Sequence, residues 1–260
     1  MSQPAFANNG NADILQTVLK PYYALYNQAN ACQGTWANDG SYDGITKEAY
    51  QIGYCVQVDS QKIVQTSQGK RMYVIVTGDV AFDAAGDEIT GGHVHSGLVG
   101  MFVLKPHPTQ ANTWQVESAD PYMNAGSFGH GLTEWRLLQF SPESWGFLNE
   151  HGDTHFGVSG TDYVILTPNG KGIMQSWIGS SYNNAATGNC GEAKQPTCDD
   201  IQSTFAINRT SVVNGFYPLN IVVTGEMNQQ SYAKQSYKLY YLPNKGYITP
   251  KNYPLNDLDF

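Results

Sequence analysis

The spacing of apolar residues changes from helical to alternating along the first third of the chain. The earliest apolar residues recur at three- and four-residue intervals, which predicts one apolar stripe on a helix. These residues are Leu15, Val18, Leu19, Tyr22 and Tyr26. Pro21 lies within this run, and because proline has no N–H to donate it should kink or split the helix.

Beyond this helix the period becomes two, which is typical of half-buried strands. Tyr50, Ile52, Tyr54, Val56 and Val58 alternate with polar or small residues, and the segment RMYVIVTGD at 71–79 continues the pattern. Further strands are predicted at 98–105, 114–117, 163–167, 172–177, 205–208, 219–224 and 237–242. Turn residues between two pairs of these strands, Pro168 with Gly170 and Pro243 with Gly246, indicate hairpins.

A second, short helix is predicted at 141–150, where Ser141 can cap and Pro142 suits the first helical position. Helices do not alternate with strands as they do in a doubly wound parallel sheet. We therefore expect a mainly β (α+β) fold, with antiparallel sheets arranged as a sandwich or barrel and the N-terminal helix packed outside them.

Three short similarities in the same order suggest two related β units. RMYVIVTGD at 71–79 resembles PLNIVVTGE at 218–226, IVQTS at 63–67 resembles INRTS at 207–211, and GSYDGIT at 40–46 resembles GDTHFGVS at 152–159. The alternative is that strands rich in Val, Ile and Thr resemble one another without common origin. The domain prediction is a disordered N-terminus at 1–10, a first unit at 11–138 and a second at 139–260, or one compact domain.

The four cysteines predict two disulfides. Cys190 and Cys198 flank a polar loop at 190–198, whereas Cys32 follows the predicted helix and Cys55 lies in a predicted strand, so that this second bond would tie helix to sheet. In the chain-entropy model the bonds contribute about 2.5 and 3.5 kcal/mol respectively. Neither pair has the close spacing of a structural zinc site. Disulfides are typical of oxidising compartments, so we expect a periplasmic or secreted protein.

Charge and targeting signals restrict the partners. The net charge is −8, charged residues are only 14% of the chain, and the 14 Lys and Arg are scattered, which argues against nucleic acid as a partner. No run of apolar residues is long enough for a transmembrane helix. The N-terminus also lacks a basic and then apolar signal segment, so we expect a mature chain without its signal peptide.

Histidines and one acidic residue carry the most specific chemical hypothesis. His93 and His95 form an HVH motif, whose side chains share one face on a strand, and HGDTH places His151, Asp153 and His155 two residues apart. Together these side chains could bind Zn²⁺ or Cu²⁺. The alternative is that they are polar residues of glycine-rich loops and strand edges.

Tyrosines near the C-terminus give a second binding hypothesis. Tyr237, Tyr240 and Tyr241 lie among Asn and Gln residues, a combination that sugar- and protein-binding surfaces use. Alternation within a half-buried strand explains them equally well. Because the standard protease, hydrolase and nucleotide-binding motifs are absent, we expect an exported β-rich binding or interaction protein. The alternatives are a metal-dependent enzyme or metal-binding protein and a carbohydrate-binding module, with a protein or glycan as partner and no obligatory cofactor.

Overall fold

The chain forms two compact units, and antiparallel strands account for most of it. We describe a computed structural model that covers residues 14–42, 49–93, 95–188, 190 and 197–256. One unit ends at Trp135, and the other begins at Arg136. The predicted mainly β fold of antiparallel sheets is therefore confirmed. The predicted disordered segment 1–10 lies outside the described residues.

The N-terminal unit is built on a six-stranded sheet in which every strand pairs with its sequence neighbour, in the order β1 to β6. Its strands are β1 (Leu25–Asn27), β2 (Cys32–Tyr42), β3 (Ala49–Thr66), β4 (Gly69–Phe82), β5 (Leu98–Pro106) and β6 (Trp114–Asn124). A separate two-stranded hairpin follows, formed by β7 (Gly126–Ser127) and β8 (His130–Gly131). Such a meander needs only short connections between neighbours.

The C-terminal unit repeats this up-and-down order in an eight-stranded sheet. Its strands are β9 (Arg136–Gln139), β10 (Trp145–His155), β11 (Val158–Asn169), β12 (Gly172–Asn183), β13 (Asp200–Ile207), β14 (Leu219–Met227), β15 (Gln230–Leu242) and β16 (Gly246–Ile248). A single 3₁₀ turn, Ala185–Thr187, follows β12. The last strand also reaches β12, because the Tyr247 N–H donates to Ser176 Oγ at 2.9 Å.

The predicted N-terminal helix is only one turn long. Helical geometry covers residues 14–16, after which the chain turns repeatedly and enters β1. Leu15 and Leu19 of the predicted stripe are nevertheless buried in the core of the N-terminal unit, together with Tyr23, whereas Tyr26 is 63% exposed. The helix ends at Gln16, well before Pro21, and burial of the apolar side chains holds the following turns in place.

The predicted helix at 141–150 is wrong. Ser141 instead caps a tight turn, where its hydroxyl accepts the Glu143 N–H at 3.2 Å and its own N–H donates to the Ser144 carbonyl at 3.1 Å, and the residues from Trp145 onwards belong to β10. Pairing with β9 on one side and β11 on the other buries Phe147 and Leu148 completely. Two-sided pairing of this kind overrides the local capping signal, which both a turn and a helix can use.

Both predicted disulfides are present, Cys32–Cys55 and Cys190–Cys198. The predicted role of the first bond needs correction, because Cys32 is the first residue of β2 and Cys55 lies within β3. The bond therefore joins two neighbouring strands of one sheet rather than a helix and a sheet. Most of the loop closed by the second bond, residues 191–196, lies outside the described part of the chain.

The longest of the three internal similarities falls on comparable strands that differ in detail. Residues 71–79 lie in β4 and residues 219–226 in β14, and each strand is the second of an antiparallel hairpin. However, β4 is buried on both faces near its centre, whereas β14 alternates between buried and exposed positions. Much of the 40–46 segment lies outside the described residues. A relationship between the units therefore stays a prediction.

Tyrosine side chains fill much of the C-terminal core, and their hydroxyls differ in whether they form a hydrogen bond to another described residue. Tyr163 is buried and its hydroxyl donates to the Ser203 carbonyl at 2.9 Å. The buried hydroxyls of Tyr241 and Thr167 face each other without reaching hydrogen-bond geometry, and neither finds another partner among the described residues. An unsatisfied buried hydroxyl destabilises the folded state by about 1–3 kcal/mol.

The substitutions Tyr163→Phe and Tyr241→Phe should therefore have different effects on stability. The first removes a hydrogen bond and leaves a carbonyl unsatisfied, so it should lower the free energy of unfolding by about 1–1.5 kcal/mol. The second removes an unsatisfied group, so it should change stability by less than about 0.5 kcal/mol or increase it. Urea unfolding of the two variants tests this, and equal losses would contradict it.

Alkaline pH should destabilise the folded protein. Burial raises the pKa of Tyr23, Tyr54, Tyr247 and Tyr253 above the ordinary tyrosine value of about 10. The unfolded chain therefore ionises first, so stability is complete below about pH 10 and falls as the pH rises above it. Each of these tyrosines lowers the free energy of unfolding by up to about 1.4 kcal/mol for each pH unit above that value. Urea midpoints measured from about pH 8 to pH 11 test this, and a constant midpoint would contradict it.

Candidate functional site

An open cleft of about 580 Å³ lies beside the Cys32–Cys55 disulfide in the N-terminal unit. Its walls come from the N-terminal turns, the starts of β1 and β2, and the middle of the β3–β4 hairpin. In that hairpin Cys55 pairs with Asp79 and Gln57 with Thr77, so these four side chains share one face of the sheet. The cleft has the volume of a small-molecule binding site.

Thr77 is the most unusual residue of the cleft. It is only 1% exposed, and its hydroxyl has no hydrogen-bond partner among the described residues. Nearly all buried polar groups in folded proteins are hydrogen-bonded, so an unsatisfied one needs an explanation. Thr77 lines the cleft and its hydroxyl is buried beneath the cleft surface, so a bound molecule can supply the missing partner once the side chain rotates towards it.

Asp79 is the charged residue among the described lining residues of the cleft, and its carboxylate contacts two residues that do not line the cleft. One carboxylate oxygen accepts the Gly131 N–H at 3.0 Å, and the other lies 3.5 Å from Nδ1 of His130. Both partners belong to β8, so the short β7–β8 hairpin orients this carboxylate. The described lining residues include no lysine or arginine. An anionic ligand is therefore disfavoured, whereas a neutral or cationic polar ligand is not.

A network of glutamines fixes the opposite wall. The Gln33 amide nitrogen donates to the carbonyls of Tyr23 and, at 2.8 Å, Leu25, and its oxygen accepts the Gln16 amide at 2.9 Å. These bonds tie the N-terminal turns to the first residues of β2. The wall is thus formed before any ligand arrives, which reduces the entropic cost of binding.

A smaller cavity of about 300 Å³ lies on another side of the same disulfide. Asn30 lines it, and the amide nitrogen of Asn30 is buried without a partner among the described residues. Glu88 is the acidic residue of this cavity. Both spaces around Cys32–Cys55 therefore contain a polar atom that the described protein leaves unsatisfied.

His93 and His95 of the HVH motif do not lie on a strand. The His95 N–H bonds to the Gly92 carbonyl at 3.0 Å, which makes this segment a turn. Nδ1 of His95 accepts the Gly92 N–H at 2.8 Å, so the ring carries its proton on Nε2, 3.7 Å from the buried carboxylate of Asp39. The His93 ring instead packs edge-on against Phe128, with 4.8 Å between ring centroids.

The second predicted histidine group lies on β10 of the C-terminal unit. His151 packs edge-on against Trp177 at 5.3 Å and His155 against Phe156 at 4.1 Å, while Asp153 is partly buried. In the described ranges, no three His, Cys, Asp or Glu side chains form a group that could hold a metal ion. The predicted Zn²⁺ or Cu²⁺ site at His93, His95, His151, Asp153 and His155 stays a prediction.

The three C-terminal tyrosines do not face the same way. Tyr237 and Tyr241 lie in the hydrophobic core of the C-terminal unit, where Tyr241 stacks on Phe216. Tyr240 between them is 42% exposed. One of the three is therefore available at the surface, in agreement with the alternation of β15, and a ligand-binding surface at these residues stays a prediction.

Each unit contains a Phe-Gly turn that presents an exposed aromatic ring. In the β10–β11 hairpin Phe156 and Gly157 have φ angles of 47° and 83°, and in the β7–β8 hairpin Phe128 and Gly129 have 54° and 77°. Two-residue turns with two positive φ angles favour Asn-Gly, because a bulky residue is strained in this region. Phe156 is nevertheless 88% exposed, so it contributes little to the core.

No motif of the sequence points directly to the cleft. Thr77 and Asp79 follow five buried apolar residues in β4, and a polar pair after an apolar run was the available signal. That signal does not say which residues of other strands lie opposite. Asp39, which is 1% exposed and faces His95, was missed for the same reason.

Comparison with known proteins identifies no family for this chain. The chain matches no protein-family model, no curated protein and no solved structure. Among the described residues, no helix has the length and apolar character needed to cross a membrane.

Replacing Phe156 with Asn should stabilise the protein. The substitution creates an Asn-Gly turn and relieves the backbone strain of a bulky residue at positive φ, so the free energy of unfolding should rise by about 1 kcal/mol. Phe156→Ala keeps the strain at Cβ and should leave stability almost unchanged. Urea unfolding distinguishes the two variants, and a loss of stability in Phe156→Asn would show that the ring supports the fold.

Proposed function

We propose that this chain is an extracytoplasmic binding protein and that its ligand occupies the cleft beside Cys32–Cys55. Two disulfides are expected of a protein that folds in the periplasm or outside the cell. The cleft has the volume of a small-molecule site and walls that hydrogen bonds hold in place. These features support binding without requiring catalysis.

The hydroxyl of Thr77 carries this proposal. A buried hydroxyl without a partner destabilises the folded protein by about 1–3 kcal/mol, and a valine in its place would fill the same space without that loss. A ligand that hydrogen-bonds to the hydroxyl recovers the lost interaction at the moment of binding. The buried Thr77 hydroxyl thus destabilises the empty protein and contributes a hydrogen bond in the complex.

The surrounding groups favour a neutral ligand that bears several hydroxyls, such as a sugar. Asp79 provides carboxylate oxygens that accept hydrogen bonds, and the Gln57 amide can both donate and accept. Tyr26 is 63% exposed at the edge of the cleft, so its ring offers a flat apolar face. Carboxylate, amide and aromatic groups together match the alternating polar and apolar surfaces of a sugar ring.

The experiment is a binding screen with a matched pair of threonine variants. Neutral mono- and disaccharides at about 10 mM are tested for an increase in melting temperature, and the affinity of those that bind is measured by calorimetry. Thr77→Val should weaken binding about five- to tenfold, because it removes one buried hydrogen bond to the ligand. Its own unfolding free energy should stay equal to that of the wild type or rise.

Thr167→Val is the control. Thr167 is also buried with an unsatisfied hydroxyl, but it lies in the C-terminal unit and does not line the cleft. It should leave sugar affinity unchanged. Equal weakening by both variants would contradict the assignment of the cleft, and the absence of any binding sugar would contradict the ligand class.

A further inference from the structure

One edge of the C-terminal sheet is open along most of β10. Strand β9 pairs with β10 only at residues 145–148, and no strand of the described chain covers the same side of residues 149–155. At about 3.3 Å per residue, this open stretch is roughly 23 Å long. Glu150, Gly152 and Thr154 are exposed along it. An open edge of this length is a template on which a strand of another molecule can pair.

The N–H groups of alternate residues point towards the open side. In an antiparallel ladder the direction of the backbone hydrogen bonds alternates along the strand, between one neighbour and the other. The N–H groups of Glu150 and Thr154 bond to side chains instead of to β11, so both residues face outward, as does Gly152 midway between them. Another strand that paired at this edge would need these three N–H groups.

Two of the three outward N–H groups are occupied by side chains of the same strand. Oδ1 of Asn149 accepts the Glu150 N–H at 2.8 Å, and Oδ1 of Asp153 accepts the Thr154 N–H at 2.7 Å. Short polar side chains compete in this way with the ladder hydrogen bonds of a sheet. We call these two hydrogen bonds the edge caps, and they lie on either side of Gly152.

The spacing of the edge caps matches the geometry of pairing with a second copy of the chain. A two-fold dimer formed through this edge would place two identical strands antiparallel to each other. When such a pair is centred on Gly152, Glu150 of one copy lies opposite Thr154 of the other, and each copy offers three N–H donors. The edge caps occupy two of these three in each copy, so most of the ladder cannot form while they are in place.

Other long edges of the two sheets are interrupted as well. Strand β6 is the last of the N-terminal sheet, and in it Pro121 has no N–H while Oδ1 of Asp120 accepts the Tyr122 N–H at 3.2 Å. Strand β15 pairs with β16 only at residues 240–242, and its open part contains a bulge at Lys234, whose φ is 64°. Edge prolines, bulges and edge lysines all hinder pairing between molecules. The edge caps of β10 therefore belong to a pattern that extends over both sheets.

We propose that Asn149 and Asp153 prevent this chain from pairing with a second copy of itself through the open edge of β10. A dimer would have to break two hydrogen bonds in each copy before it could form the corresponding ladder bonds, so it gains little from the exchange. Neither residue lines the cleft beside Cys32–Cys55, so this inference goes beyond the proposed function and does not depend on it.

The test replaces both capping residues with leucine, which has nearly the shape of asparagine and aspartate but no acceptor. The full chain with Asn149→Leu and Asp153→Leu should be at least half dimeric at about 100 μM, a concentration at which the wild type stays monomeric. Sedimentation velocity measures this. Amide hydrogen exchange should also show that the Gly152 N–H becomes protected as the dimer forms, because Gly152 lies at its centre.

Two control variants separate the effect of the edge caps from those of charge and apolar surface. The exchange Asn149→Asp with Asp153→Asn keeps an oxygen acceptor at both positions and the same net charge, so this variant should stay monomeric. The pair Glu150→Leu with Thr154→Leu adds two leucines at exposed positions of the same strand and leaves both capping side chains in place. It should also stay monomeric.

Several outcomes would overturn the proposal: a folded double-leucine variant of the capping residues that stays monomeric, equal dimerisation of either control, or a wild type that already dimerises with a protected Gly152 N–H. Hydrogen exchange in the wild type needs no variant. Relative to their rates in an unfolded chain, the Glu150 and Thr154 amides should exchange about fivefold or more slowly than Gly152. Equal relative rates would show that the edge caps do not hold these N–H groups. None of these outcomes bears on the sugar cleft.

Discussion

The register of the β3–β4 hairpin determines the chemistry of the N-terminal unit. Before the bulge after Val58, the pairing places Thr77 and Asp79 on the same face as Cys55 and Gln57, where they line the cleft. After the bulge the same strand presents Gln61 to a different cavity. A shift of one residue would turn each of these side chains to the opposite face. One backbone irregularity therefore positions polar groups at two cavities at once.

The disulfide Cys32–Cys55 strengthens this arrangement where the hairpin meets β2. It joins the first residue of β2 to a strand already held by hydrogen bonds, and both of the spaces around it contain an unsatisfied polar atom. Such atoms lower the stability of the folded protein. The disulfide reduces the conformational entropy of the unfolded chain, which stabilises the fold by about 3.5 kcal/mol in the chain-entropy model. The covalent link thus offsets the instability of a wall that leaves Thr77 and Asn30 unsatisfied.

Much of the fold could be predicted from the sequence because its information is local. Alternation located most of the strands, and cysteine spacing identified both disulfides. The helix predicted from Ser141 failed because a capping serine also suits a tight turn, and two-sided strand pairing decided between them. The cleft could not be predicted, since it depends on a bulge and on which residue of β4 lies opposite Gln57. Neither has a sequence signal.

Buried polar groups differ in whether the described residues satisfy them, and each unit contains both kinds. In the C-terminal unit the hydroxyls of Tyr163, Tyr247 and Tyr253 each donate to a backbone carbonyl, so they connect separate parts of the core. In the N-terminal unit the Thr77 hydroxyl is instead buried without a partner among the described residues, in a residue that lines the cleft. Substitutions at the first group should act mainly on stability, because they break existing bonds. Those at the second should act mainly on binding, because the bonds they would remove form only with a ligand.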